Sequence, residues 1–278
     1  KRSRKGLNFG EDYNQSLIYD SPKYLDIDFG IGAYYGLDQS PEFQQISFGE
    51  NYNTNLFYDV YTSLTYTEIK RSVGAVDGEK GIKSSLNVSS SITDGNFFPR
   101  LNGSLDLGFQ LPINHTSLWL RNSFGNSFSD KINPFTRFGF ASFGNNYIDY
   151  TSSKMYRSTF SFPGVSYDSG KALIAKSFFK TTAELVLPAL RYRKLGFFNF
   201  FATYSHPSIF AGLLFSNDYN GTLDVERKER FSNIGFQIDT KLVMFSHLSS
   251  TLSFGWARAF DNNIDNKYYD EWMVSLKF

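Results

Sequence analysis

From Tyr24 to Leu37 the chain alternates in character at every residue. Leu25, Ile27, Phe29, Ile31, Ala33, Tyr35 and Leu37 take the odd positions, while Asp26, Asp28, Gly30, Gly32 and Gly36 fall between them. A helix would place Asp26 and Asp28 beside the apolar stripe, so the period of two rejects a helix and demands a strand. The strand is also long, more than twice the usual five or six residues or so. Every segment that follows must be compatible with it.

The pattern recurs along the chain. Leu56, Tyr58, Val60, Leu64 and Tyr66 alternate with polar neighbours, as do Ile82, Leu86, Val88 and Ile92. Leu101, Leu105, Leu107, Phe109 and Leu111 do the same, followed near the end by Ile234, Phe236, Ile238, Leu242 and Met244, then Leu252, Phe254 and Trp256. One face is apolar throughout, and the other mixes Gly, Ser, Asn, Asp and Lys. A soluble sandwich also buries one face, so the alternation does not choose between fold classes. Strand length does, because ten residues or more is the span that crosses a bilayer at a tilt. The expectation is an all-β chain, an antiparallel transmembrane β-barrel with about twelve strands. Its parity puts Ile238 on lipid, so an arginine there is expected to cost far more than one at the neighbouring Asp239.

Composition sets the remaining bounds. Aromatic residues make up 18% of the 278 residues, with 30 Phe and 18 Tyr, far too many for a disordered chain. Mean hydropathy is −0.33, and Asn199 interrupts the most apolar run, Phe197–Tyr204, so no helix of membrane-spanning length is predicted. The net charge is +1; the basic start Lys1-Arg-Ser-Arg-Lys5 has no second basic patch behind it, which argues against nucleic acid as a partner. No apolar core follows that start, so a signal peptide is not visible, and an exported chain of this sequence is mature or truncated. There is no cysteine, and the three histidines, His115, His206 and His247, lie in separate segments. No metal site, cofactor motif or nucleophile elbow is legible, and Ser205-His206-Pro207 has nothing to orient it for catalysis. The chain is read as a non-enzyme without cofactor.

Strands are expected near 23–37, 43–50, 55–70, 81–92, 99–111, 116–129, 132–143, 172–192, 195–215, 230–245, 247–260 and 270–278. Residues 1–22 read as a linker or a frayed first strand, and 23–278 as the barrel. Tight joints are read at Asp130-Lys131, Lys194 and Phe245-Ser246-His247, with long polar ones at 144–171, 216–229 and 261–269. Long and short joints alternate from 144 onward, as outer loops and periplasmic turns do. Upstream the rule weakens, because Pro112-Ile-Asn-His115 is short where an outer loop is due.

Three motifs carry a resemblance. The first is the aromatic loop Tyr156-Arg-Ser-Thr-Phe-Ser-Phe-Pro-Gly-Val165; the second is Ala183-Glu-Leu-Val-Leu-Pro188 on the strand after it. The third is the terminus, where Trp272, Val274, Leu276 and Phe278 share a face and the chain stops on the aromatic. In this order they resemble the closing third of the BamA/TamA-like outer-membrane barrels, in a Bacteroidota-type form. The resemblance covers roughly Leu101 to Phe278, and the earlier strands match by pattern alone. It implies that this chain is the C-terminal part of a sixteen-stranded barrel, and that the terminal strand is an assembly signal. It also implies that the loop folds back into the lumen. The family's Arg-Gly-aromatic motif falls on Phe162, Pro163 and Gly164, with Pro in place of Arg. Arg157 or Arg137 would then supply the inward cation, with Glu184 as its inward acid. The function implied is assembly or export of proteins or lipids in the bacterial outer membrane, with the lipid bilayer and other outer-membrane or periplasmic proteins as partners. The alternative is a porin or substrate-specific channel.

Overall fold

The computed structural model describes residues 7–35, 56–93, 95–129, 137–143, 148–149, 154–165, 173–220, 225–245, 247–262 and 267–277. They form an all-β chain. Six long strands come first: β1 (Leu7–Asp20), β2 (Lys23–Tyr35), β3 (Leu56–Lys70), β4 (Lys80–Thr93), β5 (Asn96–Gln110) and β6 (Ser117–Ser127). Short pieces follow, β7 (Phe138–Phe140), β8 (Ile148–Asp149) and β9 (Leu173–Ala175), and then β10 (Ser177–Val186), β11 (Leu190–Arg191) and β12 (Gly196–Phe197). Four long strands close the chain: β13 (Phe200–Asn220), β14 (Val225–Met244), β15 (Leu248–Asp261) and β16 (Tyr268–Lys277).

All but β7 and β9 belong to one 14-stranded sheet, ordered β1-β2-β3-β4-β5-β6-β10-β13-β14-β15-β16-β8, with β11 and β12 added on β13. The long strands are antiparallel to one another, and the two-residue β8 pairs with β16 in parallel. Among the described residues no ladder joins β1 to β16, so β1 is one edge of the sheet. β1 itself pairs with β2 from Leu7↔Tyr35 to Asp20↔Lys23, so the segment read as linker or frayed strand is a paired strand.

The two faces of this sheet are inverted relative to a water-soluble one. On β13, Phe210, Gly212, Leu214 and Ser216 are buried while Ile209, Leu213 and Phe215 are exposed. On β16, Tyr269, Glu271, Met273 and Ser275 are buried, and Trp272 and Val274 face out, Trp272 at 61% exposure. Phe236, Phe254, Trp256 and Trp272 form one aromatic ladder across the outer face of β14–β16, with ring centroids 5.7–6.2 Å apart. The inner face carries polar rows in register. Thr65, Ser85, Ser104 and Ser123 are successive cross-strand partners, and the row ends on Lys180. One step along the strands, Lys83, Asp106, Arg121 and Thr182 form the next row. Such rows let hydroxyls and charges satisfy one another where an apolar core would leave them unpaired.

One sequence expectation changes here. The strand read near 43–50 lies outside the described residues. The strand read over 132–143 is not a crossing of the large sheet. Phe138–Phe140 pairs only with β9, and Phe138 and Phe140 both pack on Phe178 of the inner face. The physical reason is that Phe138 and Phe140 share one side of a three-residue strand and spend it on Phe178 of the inner face, leaving only Gly139 on the other side. Removing that crossing exchanges the ends of everything before it. The joint at 111–116 then falls at the same end of the sheet as the tight turn at 245–247, and its shortness is no longer an irregularity. The Asp130-Lys131 joint lies outside the described residues.

Candidate functional site

The long connection between β6 and β10 turns inward and lies on the inner face. Three anchors hold it. Ala141 bonds across its base to two residues, its N donating to Phe160 O and its O accepting from Phe162 N, each at 2.8 Å. Rings supply the second anchor: Phe138, Phe140 and Phe160 gather on Phe178, Tyr156 stacks on Phe210 at 4.3 Å, and Phe162 meets Phe231. The third is polar. Glu271 on β16 accepts from Gly164 N at 2.8 Å and Phe143 N at 3.0 Å, and Asn233 on β14 donates to Pro163 O at 2.8 Å.

At the centre stands Glu184, with no exposed surface. Arg157 reaches it through Nε, at 3.0 and 3.1 Å from the two oxygens, and through Nη2 at 2.7 Å. Arg121 on β6 donates from Nε to its other side at 2.7 Å, and from Nη1 to Asp106 at 2.6 Å. Tyr156 Oη donates to Glu184 and lies 2.8 Å from Ser208 Oγ. The turn between β3 and β4 enters from the other end, where Asp77 meets Arg157 Nη2 at 2.6 Å. Each buried ion thus has partners on more than one side, the condition under which burying charge is tolerated.

The loop's own groups feel this setting. Burial and then the Glu184 charge raise the Tyr156 hydroxyl well above its usual range, so it stays a donor. Burial alone would lower Arg157, but Glu184, with Tyr156 and Asp77, outweighs it and holds the guanidinium charged. Burial pushes the Lys154 ammonium down, and Asp239 at 3.5 Å opposes that. Lys154 also donates to Ser208 Oγ at 2.6 Å.

Of the residues singled out from sequence, Arg157 and Glu184 meet directly. Arg137 is half-buried just before β7. Phe162 is buried, and with Pro163 and Gly164 it packs on β14, β15 and β16 rather than on the strands flanking the loop in sequence. Trp272 and Val274 face outward on β16, Leu276 is half-buried there, and Phe278 lies outside the described residues. Missed were Arg121, Asp77, Tyr156 and Glu271. Arg121 shares parity with Trp119 and Ser123, and Asp106 lies opposite it one hairpin back, so its inward aim was there to be found. Asp77 sits in an irregular turn, where periodicity says nothing. Ser205 binds Thr240 Oγ1 at 2.8 Å and Tyr192 Oη at 3.0 Å, not His206. Among the described residues no group of His, Asp and Glu could hold a metal ion.

Gly164 has a conformational reason for its place. Its φ is +101°, and a Cβ there would sit 2.6 Å from Ala259 N of β15. Gly164→Ala is expected to lift the loop tip off β15, at a cost of about 1–3 kcal/mol. Thermal unfolding in detergent, read by the loss of heat-modifiable gel mobility, measures it; unchanged stability would mean the tip is not seated there. No protein-family model and no curated protein matches the chain.

Proposed function

We propose that this chain is an outer-membrane β-barrel of the BamA/TamA-like kind, acting in assembly or export of proteins or lipids within a complex, with residues 137–143 and 154–165 seated in its lumen. The observation that carries this reading is the inverted sheet. Glu184, Gln237, Ser208 and Ser253 have no exposed surface, while aromatic and branched side chains cover the opposite face. A soluble monomer rarely leaves so large an apolar area in water, whereas a bilayer requires one. The site supports the rest. A loop fixed by Arg157–Glu184, Lys154–Ser208 and Glu271 makes a built plug, and a porin needs an open aqueous path.

Ser161 tests this, because its side chain is buried, its hydroxyl donates to Ser142 O at 2.9 Å, and the chain has no cysteine of its own. Ser161→Cys on intact cells should resist a bulky impermeant maleimide and react only after unfolding. Fast labelling would put the loop outside the barrel and favour the channel reading.

A further inference from the structure

Between the inner face of β3–β6 and the turn at 154–159 lies a chamber of about 490 Å³. That is the size of an ordinary small-molecule site, yet no acyl or aromatic ligand suits it. Its sheet wall is the hydroxyl row Thr65, Ser85, Ser104 and Ser123 beside the charged row Lys83, Asp106 and Arg121. The turn contributes Ser158 and Thr159, held in place through Arg157 and Glu184.

Two groups on this wall are not used by the fold. Lys83 is exposed to the chamber and makes no ion pair among the described residues, its register partner Asp106 being taken by Arg121 at 2.6 Å. Ser123 Oγ is buried without a hydrogen-bond partner. Between them, the Ser85 and Ser104 hydroxyls bond to each other at 2.7 Å. The two rows are two residues apart along the strands, roughly 7 Å at the rise of an extended chain. A pyranose ring spans that distance, with its hydroxyls on the serine row and an anionic substituent on the cation row. An isolated inorganic anion would leave the hydroxyls unused, and a neutral sugar would leave Lys83 unused.

We propose that this chamber binds a water-soluble phosphorylated sugar, with Lys83 on the phosphate and the Ser85–Ser104–Ser123 row on the ring hydroxyls. The site lies on the polar face, separated by the sheet from the apolar one, so the ligand carries no acyl chain.

The test is titration of the full chain, folded in detergent, with glucose 1-phosphate, glucose and inorganic phosphate in separate arms, read by calorimetry at low salt. Saturable binding of glucose 1-phosphate, tighter than either other probe, is expected. Lys83→Gln should weaken it about tenfold, the loss of one hydrogen bond to a charged group. Ser85→Ala should weaken it less, and Lys70→Gln at the sheet end should leave it unchanged. Absence of saturable binding in the millimolar range overturns the proposal, as does equal affinity in Lys83→Gln. Phosphate binding as tight as glucose 1-phosphate would reduce the chamber to an anion site and remove the sugar. Ser85→Ala deletes a single oxygen, so it keeps the test alive if Lys83→Gln does not fold.

Discussion

Glu184→Ala should destabilise the folded chain by about 3–5 kcal/mol, because it removes a fully buried carboxylate and strands two half-buried guanidinium groups at once. Arg157 and Arg121 both point at the same carboxylate from opposite sides, and Asp77 and Asp106 each neutralise only one of them. Arg157→Ala should cost less, since Arg121 still balances Glu184 when Arg157 is gone. The double variant should lose less than the sum, with a coupling of roughly 0.5–3 kcal/mol. Urea unfolding of the detergent-folded protein, followed by tryptophan fluorescence, gives all three numbers. Strict additivity would mean that the two side chains do not act as a pair. Surface ion pairs such as Arg258–Asp270, at 2.8 Å on the outer face, are expected to change stability by no more than about 1 kcal/mol.

Ile238→Arg should carry the second-largest cost, roughly 2–4 kcal/mol, if the outer face meets hydrocarbon. Ile238 pairs with Phe254, between the Arg258–Asp270 pair nearer one end of the sheet and the Phe200–Phe245 rings at the other. Insertion into liposomes and subsequent unfolding measures the loss. The neighbouring Asp239 is no neutral comparison, contrary to what parity alone suggested. It accepts from Ser253 at 2.6 Å and Gln237 at 2.7 Å and faces Lys154, so Asp239→Arg breaks a network of its own. Thr65→Arg, on the chamber wall, is the better control, because a cation there stays wet. Equal losses from Ile238→Arg and Thr65→Arg would argue for a sheet buried on both sides.

The strands were legible because a period of two is a property of each residue and its neighbours. Tyr24 to Tyr35 reads the same in the sequence and in β2. Face assignment was legible for the same reason, and Lys180, Thr182 and Glu184 do share the inner face. Parity fails where a short extended segment is not part of the sheet. Phe138–Phe140 alternates as well as a spanning strand does, and nothing local says that it lies against a wall. The pairing of Arg157 with Glu184 was within reach, since an inward acid needs a cation and the loop had few to offer. Arg121's inward aim was within reach as well, but its contact with Glu184 was not, and Glu271 was hidden because its strand's alternation accounted for it fully. What a strand residue touches across the interior is decided by how the sheet curves, and no run of residues along one strand encodes that.

The clasp at Glu271 sets an order of events. Its two hydrogen bonds join residues 107 and 128 positions apart in the chain. Pro163 likewise waits for Asn233, 70 positions later. Contacts of such separation form late, after the loop-closure entropy between them has been met by intervening strands. A chain folding from β1 onward therefore passes through a stage with β1–β6 paired and Phe143, Pro163 and Gly164 without their seat, which is complete only when the last strand is laid down. The same geometry runs in reverse. Fraying of β16 releases Glu271, and with it the grip on Phe143 and Gly164, so the last long strand of the sheet and the loop on its inner face come loose together.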